Sequence, residues 1–349
     1  MRPPSMMVEF IPGVCRQAGD VRAFIAGHPN AQLYHSAAWL GLLLDEVGDR
    51  LVNVVARDRT GAVAGWMPLF IKDGPIGSIA NSCPYNGSHG GVLARDADAF
   101  DRTLAAAVDF LRSENVLSVN VIHPLKDTFA GRYAAAPVMA TVPRAAQIKA
   151  LKGLEDEAAL LASVGGLVRS NLKRKCWKNG ITVARDETPE TIEWLLHHHE
   201  MQMRDRGVQP KSRRFFDSLI GNIHATDVEG RIYVGRRGNT RLAAVFLCVW
   251  RDWAEYLTPV FDMEYRNLQP LTAVIFGAMR DCAHDGCRVW NFGGSGKALD
   301  NVKLFKESWG GETVDYVYHV IDTSGGARVR NHAAAHGNGG YGGYFLYPF

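Results

Sequence analysis

The sequence predicts an α/β (α+β) chain built as two copies of one module. Three observations carry this. The length of 349 residues fits two ordinary domains. Each half contains a hairpin of two apolar, β-branched strands joined by a charged, Gly-containing turn, VNVVARDRTGAVAGWMPLF in the first and IYVGRRGNTRLAAVFLCVW in the second. In each half the hairpin is followed by another strand or loop, then a helix, then a strand, and this repeated order is the stronger sign of duplication.

In the first half, Ser36 caps a helix through Trp39, Leu42 and Leu43 to about Val47. The first hairpin follows, then a Gly/Pro/Asn-rich loop at 81–91, NSCPYNGSHGG. A helix from about Ala97 to Ser113 carries Phe100, Leu104, Ala107, Val108 and Leu111 on one stripe, and the strand VLSVNVIH closes the unit. Residues 124–156 read as irregular, rich in Ala and Pro, and the domain boundary is placed at 145–155.

The second half opens with a helix carrying Leu167, Val168, Leu172 and Cys176. A second helix starts at Thr188-Pro189-Glu190 and stops at Gly207, and a third runs from about Arg213 to His224. The second hairpin turns at Gly238-Asn239, and the strand WAEYLTPVF, a helix from Pro270 to about Asp285, the strand RVWNFGG, the short helix DNVKLFKESWG and the strand ETVDYVYHVI complete the order. These bounds give modules 1–150 and 151–323. The tail, 324–349, reads as a flexible Gly-rich segment whose final YFLYPF is apolar enough to dock in a groove.

Composition excludes several classes. The net charge of +3 argues for no partner by itself, and the six cysteines are scattered, with no C-x-x-C pair or ligand cluster. Cys248 and Cys282 read as buried thiols, which fits a reducing compartment. The N-terminus lacks the apolar core of a signal peptide, and no apolar run reaches the ~20 residues a bilayer requires. A cytoplasmic protein with no stable membrane insertion is expected.

Three stretches of the second half resemble the GNAT N-acyltransferases, specifically the tandem FemAB-like family, which includes aminoacyl-tRNA-dependent transferases that build peptidoglycan cross-bridges. They are SNLKRKCWKNGITV at 170–183, VWNFGGSG at 289–296 and LFKESWGGE at 304–312. In the first half, YHSAAWLGLL at 34–43 and PYNGSHGGVL at 84–93 are similar to that family's first module. The resemblance implies two GNAT-like modules, each a mixed, mostly antiparallel sheet flanked by helices, the first supporting the acceptor and the second catalytic. It implies amide formation: an N-acyltransferase passing an aminoacyl group, with aminoacyl-tRNA favoured as donor, to an amine acceptor in envelope or natural-product synthesis. The donor would be a co-substrate, with no cofactor and no metal. Two departures stand out: no long helical-hairpin insertion separates the modules, and EYRNLQPLTAV at 264–274 lacks the Gly-containing loop that holds the pyrophosphate of coenzyme A. An acyl-CoA-dependent transferase acting on a sugar or small amine is the close alternative, and a non-catalytic polyanion-binding module is the second.

The candidate site follows. Lys306, in the Phe-Lys element, is expected to stabilise the tetrahedral oxyanion or hold a phosphate. Tyr256 is a candidate to protonate the leaving group, and Asp262 or Glu264 to accept the amine proton, while Glu255 alternates to the opposite face. Arg169, Lys173, Arg174, Lys175 and Lys178 form two basic ridges inside a 26-residue acid-free stretch, 159–184, with Trp177 able to stack on a base. A second basic group gathers Arg204, Arg206, Lys211, Arg213 and Arg214. Tyr85 and Asn86 of the 81–91 loop, and Asn291 and Ser295 of the VWNFGGSG turn, are the remaining substrate-binding candidates. His199 shares a stripe with Ile192, Leu196 and Met203 and reads as a packed histidine, so the run at 197–200 is not taken as a metal site.

Overall fold

The computed structural model describes residues 6–347 apart from 16–17, 48–49, 86–88, 206, 208, 222–226 and 296–299, and only the backbone of 295 and 300. The first half runs β1 (Met7–Pro12), α1 (Gly19–Gly27), α2 (Ala37–Val47), β2 (Arg50–Arg57), β3 (Val63–Lys72), β4 (Ile79–Asn81), β5 (Leu93–Ala94), α3 (Ala97–Ser113), β6 (Ser118–Ile122) and β7 (Val138–Ala150). The second runs α4 (Glu157–Ser163), α5 (Gly166–Asn171), β8 (Thr182–Arg185), α6 (Pro189–Asp205), α7 (Arg213–Ile220), β9 (Val228–Arg237), β10 (Thr240–Trp250), β11 (Trp253–Phe261), α8 (Pro270–His284), β12 (Val289–Ser295), α9 (Asp300–Glu307), β13 (Glu312–Asp322) and α10 (Gly326–His336). The chain divides into two compact units: Met1–Arg144 with Asp315–Phe349, and Ala145–Val314.

Local chemistry sets several element ends. Ser36 Oγ accepts the Trp39 amide at 3.1 Å and starts α2. Asp96 caps α3 by accepting from the Ala99 amide at 2.9 Å, and Ser212 caps α7 through the Phe215 amide at 3.0 Å. Gly238 takes a φ of +57° at the tip of the β9–β10 hairpin, a conformation that disfavours any Cβ.

In the first unit the strand order is β1-β2-β3-β4-β6-β13, with β5 on β3. The apolar stripe of α3 is buried with Val54, Leu69, Ala80, Val119 and Val121 on one sheet face. In the second unit the order is β7-β12-β11-β10-β9-β8. There α8 lies over Leu247, Ala254 and Trp290. It approaches β9 closely because Gly235 has no side chain: a Cβ there would sit 2.8 Å from Val274 Cγ2.

Two features depart from the sequence reading. The stretch expected to be irregular at 124–156 contains β7, whose small residues Ala145, Ala146 and Ala150 pair with β12. The module boundary also differs. β6 pairs with β13 (Tyr318↔Ile122 to Asp322↔Ser118) and β12 pairs with β7 (Val289↔Ala150 to Ser295↔Ala145). Residues 315–349 therefore cluster with the first unit, whereas the sequence reading ended the second module at 323 and set the tail apart.

Candidate active site

The second unit contains a gap between neighbouring parallel strands. β11 and β12 pair at Trp253↔Val289, Ala254↔Trp290 and Glu255↔Asn291, where their pairing stops. Irregularities flank the last pair. On β11, Leu247 faces Tyr256 and Phe246 faces Thr258, so Leu257 is an extra residue that re-aims the strand. On β12 the register against β7 shifts between Asn291 and Gly294, and Gly293 takes a φ of +71°. Beyond Glu255 the edge of β11 has no described partner on the β12 side, so its backbone groups are available to a substrate carbonyl or amide.

A hydrogen-bonded chain fixes this turn. Asn291 Nδ2 donates to Glu255 Oε2 at 2.8 Å, and Asn291 Oδ1 accepts from the Gly293 amide at 2.8 Å. Lys306 Nζ then donates to the carbonyls of Gly293 and Gly294 at 2.9 and 2.8 Å. Only 6% of Lys306 is exposed, and burial pulls its ammonium down to about 8. Two of its three N–H donors are thus committed to the turn. Phe305 and Trp309 pack as core, with Trp309 fully buried against Phe292 at 6.1 Å between centroids.

Tyr256 points to the α8 side, packed on Trp290 and Phe292 at centroid distances of 6.0 and 5.4 Å, and burial pushes its phenol well above the usual range. The bulge places Glu255 and Thr258 on the opposite face, facing Cys248 and Phe246 of β10. Both are buried, and among the described residues Thr258 Oγ1 has no hydrogen-bond partner. Sequence reasoning missed Thr258 because simple alternation puts residues three apart on opposite faces; only the bulge brings 255 and 258 together. Asp262 caps the turn that follows β11, accepting the Glu264 amide at 2.9 Å, and Glu264 is exposed. Asn291 is fully buried in the turn. The side chain of Ser295 lies outside the described residues.

The start of α8 is a poor phosphate cradle. Pro270 has no N–H, and the Thr272 amide donates to Gln269 O at 2.9 Å. Two of the amides that a helix N-terminus usually offers an anion are thereby withdrawn.

Beside it runs the basic helix. α5 continues through an i→i+5 turn at Leu172–Cys176 and a short 3-10 turn at Trp177–Asn179 to Gly180. Val168, Leu172 and Cys176 are buried, while Leu167 on the same helix is 70% exposed. Cys176 Sγ lies 3.3 Å from Gln269 O, and Trp177 meets Phe276 of α8 edge-on at 6.0 Å, so the end of the helix abuts the start of α8. Lys173, Arg174, Lys175 and Lys178 are exposed, and no carboxylate pairs with them among the described residues. Trp177 keeps 39% of its surface open. Arg169 differs: its guanidinium donates to Ala162 O at 3.2 Å and to Val164 O, closing the end of α4. In the second basic group, Arg204 pairs with Glu200 and Arg213 with Glu193 and Asp217, while Lys211 lies over the Phe215 ring and burial pulls it to about 8. Arg206 lies outside the described residues. His199 is buried, its Nε2 accepting the Lys211 amide at 2.9 Å.

In the first unit Tyr85 takes a φ of +81°, and its amide donates to Gly343 O at 2.8 Å, so the tail covers this part of the 81–91 loop. Asn86 lies outside the described residues.

Residues 168–304 match the family model of the acetyltransferase (GNAT) domain. No curated protein matches the sequence. The chain is similar to the crystal structure of FemX, at 15% identity over 88% of this chain and 96% of that one, with a TM-score of 0.67. It is similar to the C-terminal domain of a putative lysylphosphatidylglycerol synthetase from Agrobacterium fabrum, at 14% identity over 93% and 99% of the two chains, with a TM-score of 0.58. A tandem GNAT protein from the clavulanic acid biosynthesis pathway matches at 14% identity over 91% and 99%, with a TM-score of 0.57. Residues 168–304 thus form a GNAT acyltransferase domain, carried on a chain with the tandem GNAT fold of FemX and its FemAB-like relatives.

Proposed function

We propose that the chain is an N-acyltransferase that passes an aminoacyl group from aminoacyl-tRNA to an amine acceptor in cell-envelope or natural-product synthesis. The observation that carries the donor class is the set of four unpaired cations, Lys173, Arg174, Lys175 and Lys178, on a helix whose end meets the start of α8. They offer a broad, salt-sensitive grip for a polynucleotide backbone, and Trp177 offers a stacking face. The start of α8, where Pro270 has no N–H and the Thr272 amide is engaged by Gln269, disfavours a coenzyme A pyrophosphate. A domain of a putative lysylphosphatidylglycerol synthetase among the structures sharing the fold also supports an aminoacyl donor.

In this reading the donor's ester carbonyl lies against the open edge of β11. The amine attacks it, and the developing oxyanion is met by the third N–H of Lys306 and by β11 amides. The half-buried Tyr256 phenol, held protonated, is the proton donor to the departing ribose oxygen. The ammonium proton leaves to a carboxylate near the end of β11, where Asp262 stands. The activity would belong in the cytoplasm, where charged tRNA is made; no helix among the described residues is long and apolar enough to cross a membrane.

The test compares donors. Charged tRNA should bind with a steep salt dependence, and acetyl-CoA should leave the melting temperature unchanged. The reverse pattern would replace the tRNA donor with acyl-CoA.

A further inference from the structure

The first unit repeats the strand–helix–strand order of the active site. β4 and β6 are parallel, α3 lies between them in sequence, and their last pair is Asn81↔Asn120. In the second unit β11, α8 and β12 stand in the same order and end on Glu255↔Asn291. The faces match as well. Ala80, Val119 and Val121 are buried with α3, so Asn81 and Asn120 point to the other side, as Glu255 and Asn291 point away from α8.

That place in the first unit is filled by the chain itself. Asn81 grips both backbone groups of Phe345: its Oδ1 accepts the Phe345 amide at 2.9 Å, and its Nδ2 donates to Phe345 O at 3.0 Å. Asn120 Nδ2 donates to Phe345 O at 3.2 Å and Leu346 O at 3.1 Å. Tyr341 OH donates to Gly77 O at 2.7 Å, and Tyr341, Tyr344, Phe345 and Leu346 are buried. Two buried amide side chains reading a peptide backbone, with pockets for its apolar side chains, are the parts of a peptide-binding site. A segment with glycines at 337, 339, 340, 342 and 343 has little conformational preference of its own, so its order comes from what it touches.

We propose that the first module is a peptide-binding module whose occupant in this chain is its own segment 341–347, held exchangeably. The ligand class is an extended peptide with bulky aromatic and aliphatic side chains, recognised through its backbone by Asn81 and Asn120. The segment also covers Tyr85, so its release uncovers that part of the 81–91 loop.

The experiment uses a chain ending at Gly337 and a labelled synthetic peptide of residues 338–349. The shortened chain is expected to bind one peptide per molecule and to regain the melting temperature of the full chain, which itself takes up none. Asn81→Leu in the shortened chain should weaken the peptide about tenfold or more, since two backbone hydrogen bonds are lost. A folded shortened chain that binds no peptide, or an Asn81→Leu form that binds it as tightly, would overturn the proposal. If the shortened chain does not fold, a protease site inserted between Gly337 and Asn338 and cut after folding serves instead. Exchange of the released segment for labelled peptide supports the proposal, and retention against excess label makes the segment permanent core and overturns it.

Discussion

Replacing Lys173, Arg174, Lys175 and Lys178 together with Gln tests the donor assignment most directly. These four side chains are exposed and unpaired among the described residues, while Arg169 is held by the carbonyls of residues 162 and 164. Each phosphate contact contributes about 0.7 to 0.9 to the slope of log K against log salt, so removing four should flatten that slope by about 3. At about 0.1 M salt, one decade below 1 M, the same loss is roughly 10³-fold in affinity, or about 4 kcal/mol. Fluorescence anisotropy of labelled, charged tRNA across a salt series reads both quantities. Gln keeps helix propensity, so the melting temperature should hardly move. Arg169→Gln is the internal contrast: it should lower the melting temperature, because two carbonyls at the end of α4 lose their donor, yet leave the slope unchanged. A fourfold variant with the parent's slope would refute the assignment of this helix to a polynucleotide.

Other outcomes follow from the buried groups. Lys306→Met keeps the length and loses the ammonium; transfer should fall about 100-fold or more, and the inflection expected near pH 8 in the parent's rate profile should vanish, whereas an inflection that persists would assign it to another group. Asn291→Asp sets a second carboxylate beside Glu255 Oε2, where both cannot ionise cheaply; one folded-state pKa rises, so the melting temperature should drop more at pH 8 than at pH 5, and equal drops would count against it. Burial pulls His35 to about 3 and His89 and His319 to about 4, so the unfolded chain binds more protons below pH 6.5. Stability should be full above that pH and fall toward pH 4, by up to about 2 kcal/mol per histidine at pH 5, and urea midpoints that match at pH 7.5 and 5 would contradict this. Gly235→Ala would press a methyl against Val274 and should cost about 1–3 kcal/mol in a urea melt, with no change in tRNA affinity.

The hairpins and the helices at 97–113 and 270–284 were legible because their period, caps and turn residues are local signals. Lys306 was legible as a residue but not in its bonding: the carbonyls it holds belong to a turn thirteen and twelve positions earlier. The apolar residues 167, 168, 172 and 176 mark the basic helix in the sequence without showing which of them it buries. The i→i+5 turn at 172–176 winds less per residue, which keeps Val168, Leu172 and Cys176 in line at spacings of four and leaves Leu167 outside. Nothing local announces such a turn, nor the bulge that gathers Glu255 and Thr258. Docking of the tail was only half visible: YFLYPF gave the apolar surface, but the partners Asn81 and Asn120 lie more than 200 residues away.

The pairing of β6 with β13 has a consequence for how the protein is born. The second unit, 145–314, is one unbroken stretch that holds β8 to β12 and the end of β7 that pairs with β12. The first unit, although it leaves the ribosome first, lacks β13 until residues 315–349 emerge. The N-terminal module must therefore wait, with β6 uncovered along one edge, while the later module is already able to close. A chain stalled or cut before residue 315 would carry a finished GNAT domain beside an unfinished partner with an open strand edge, the form most exposed to aggregation and proteolysis.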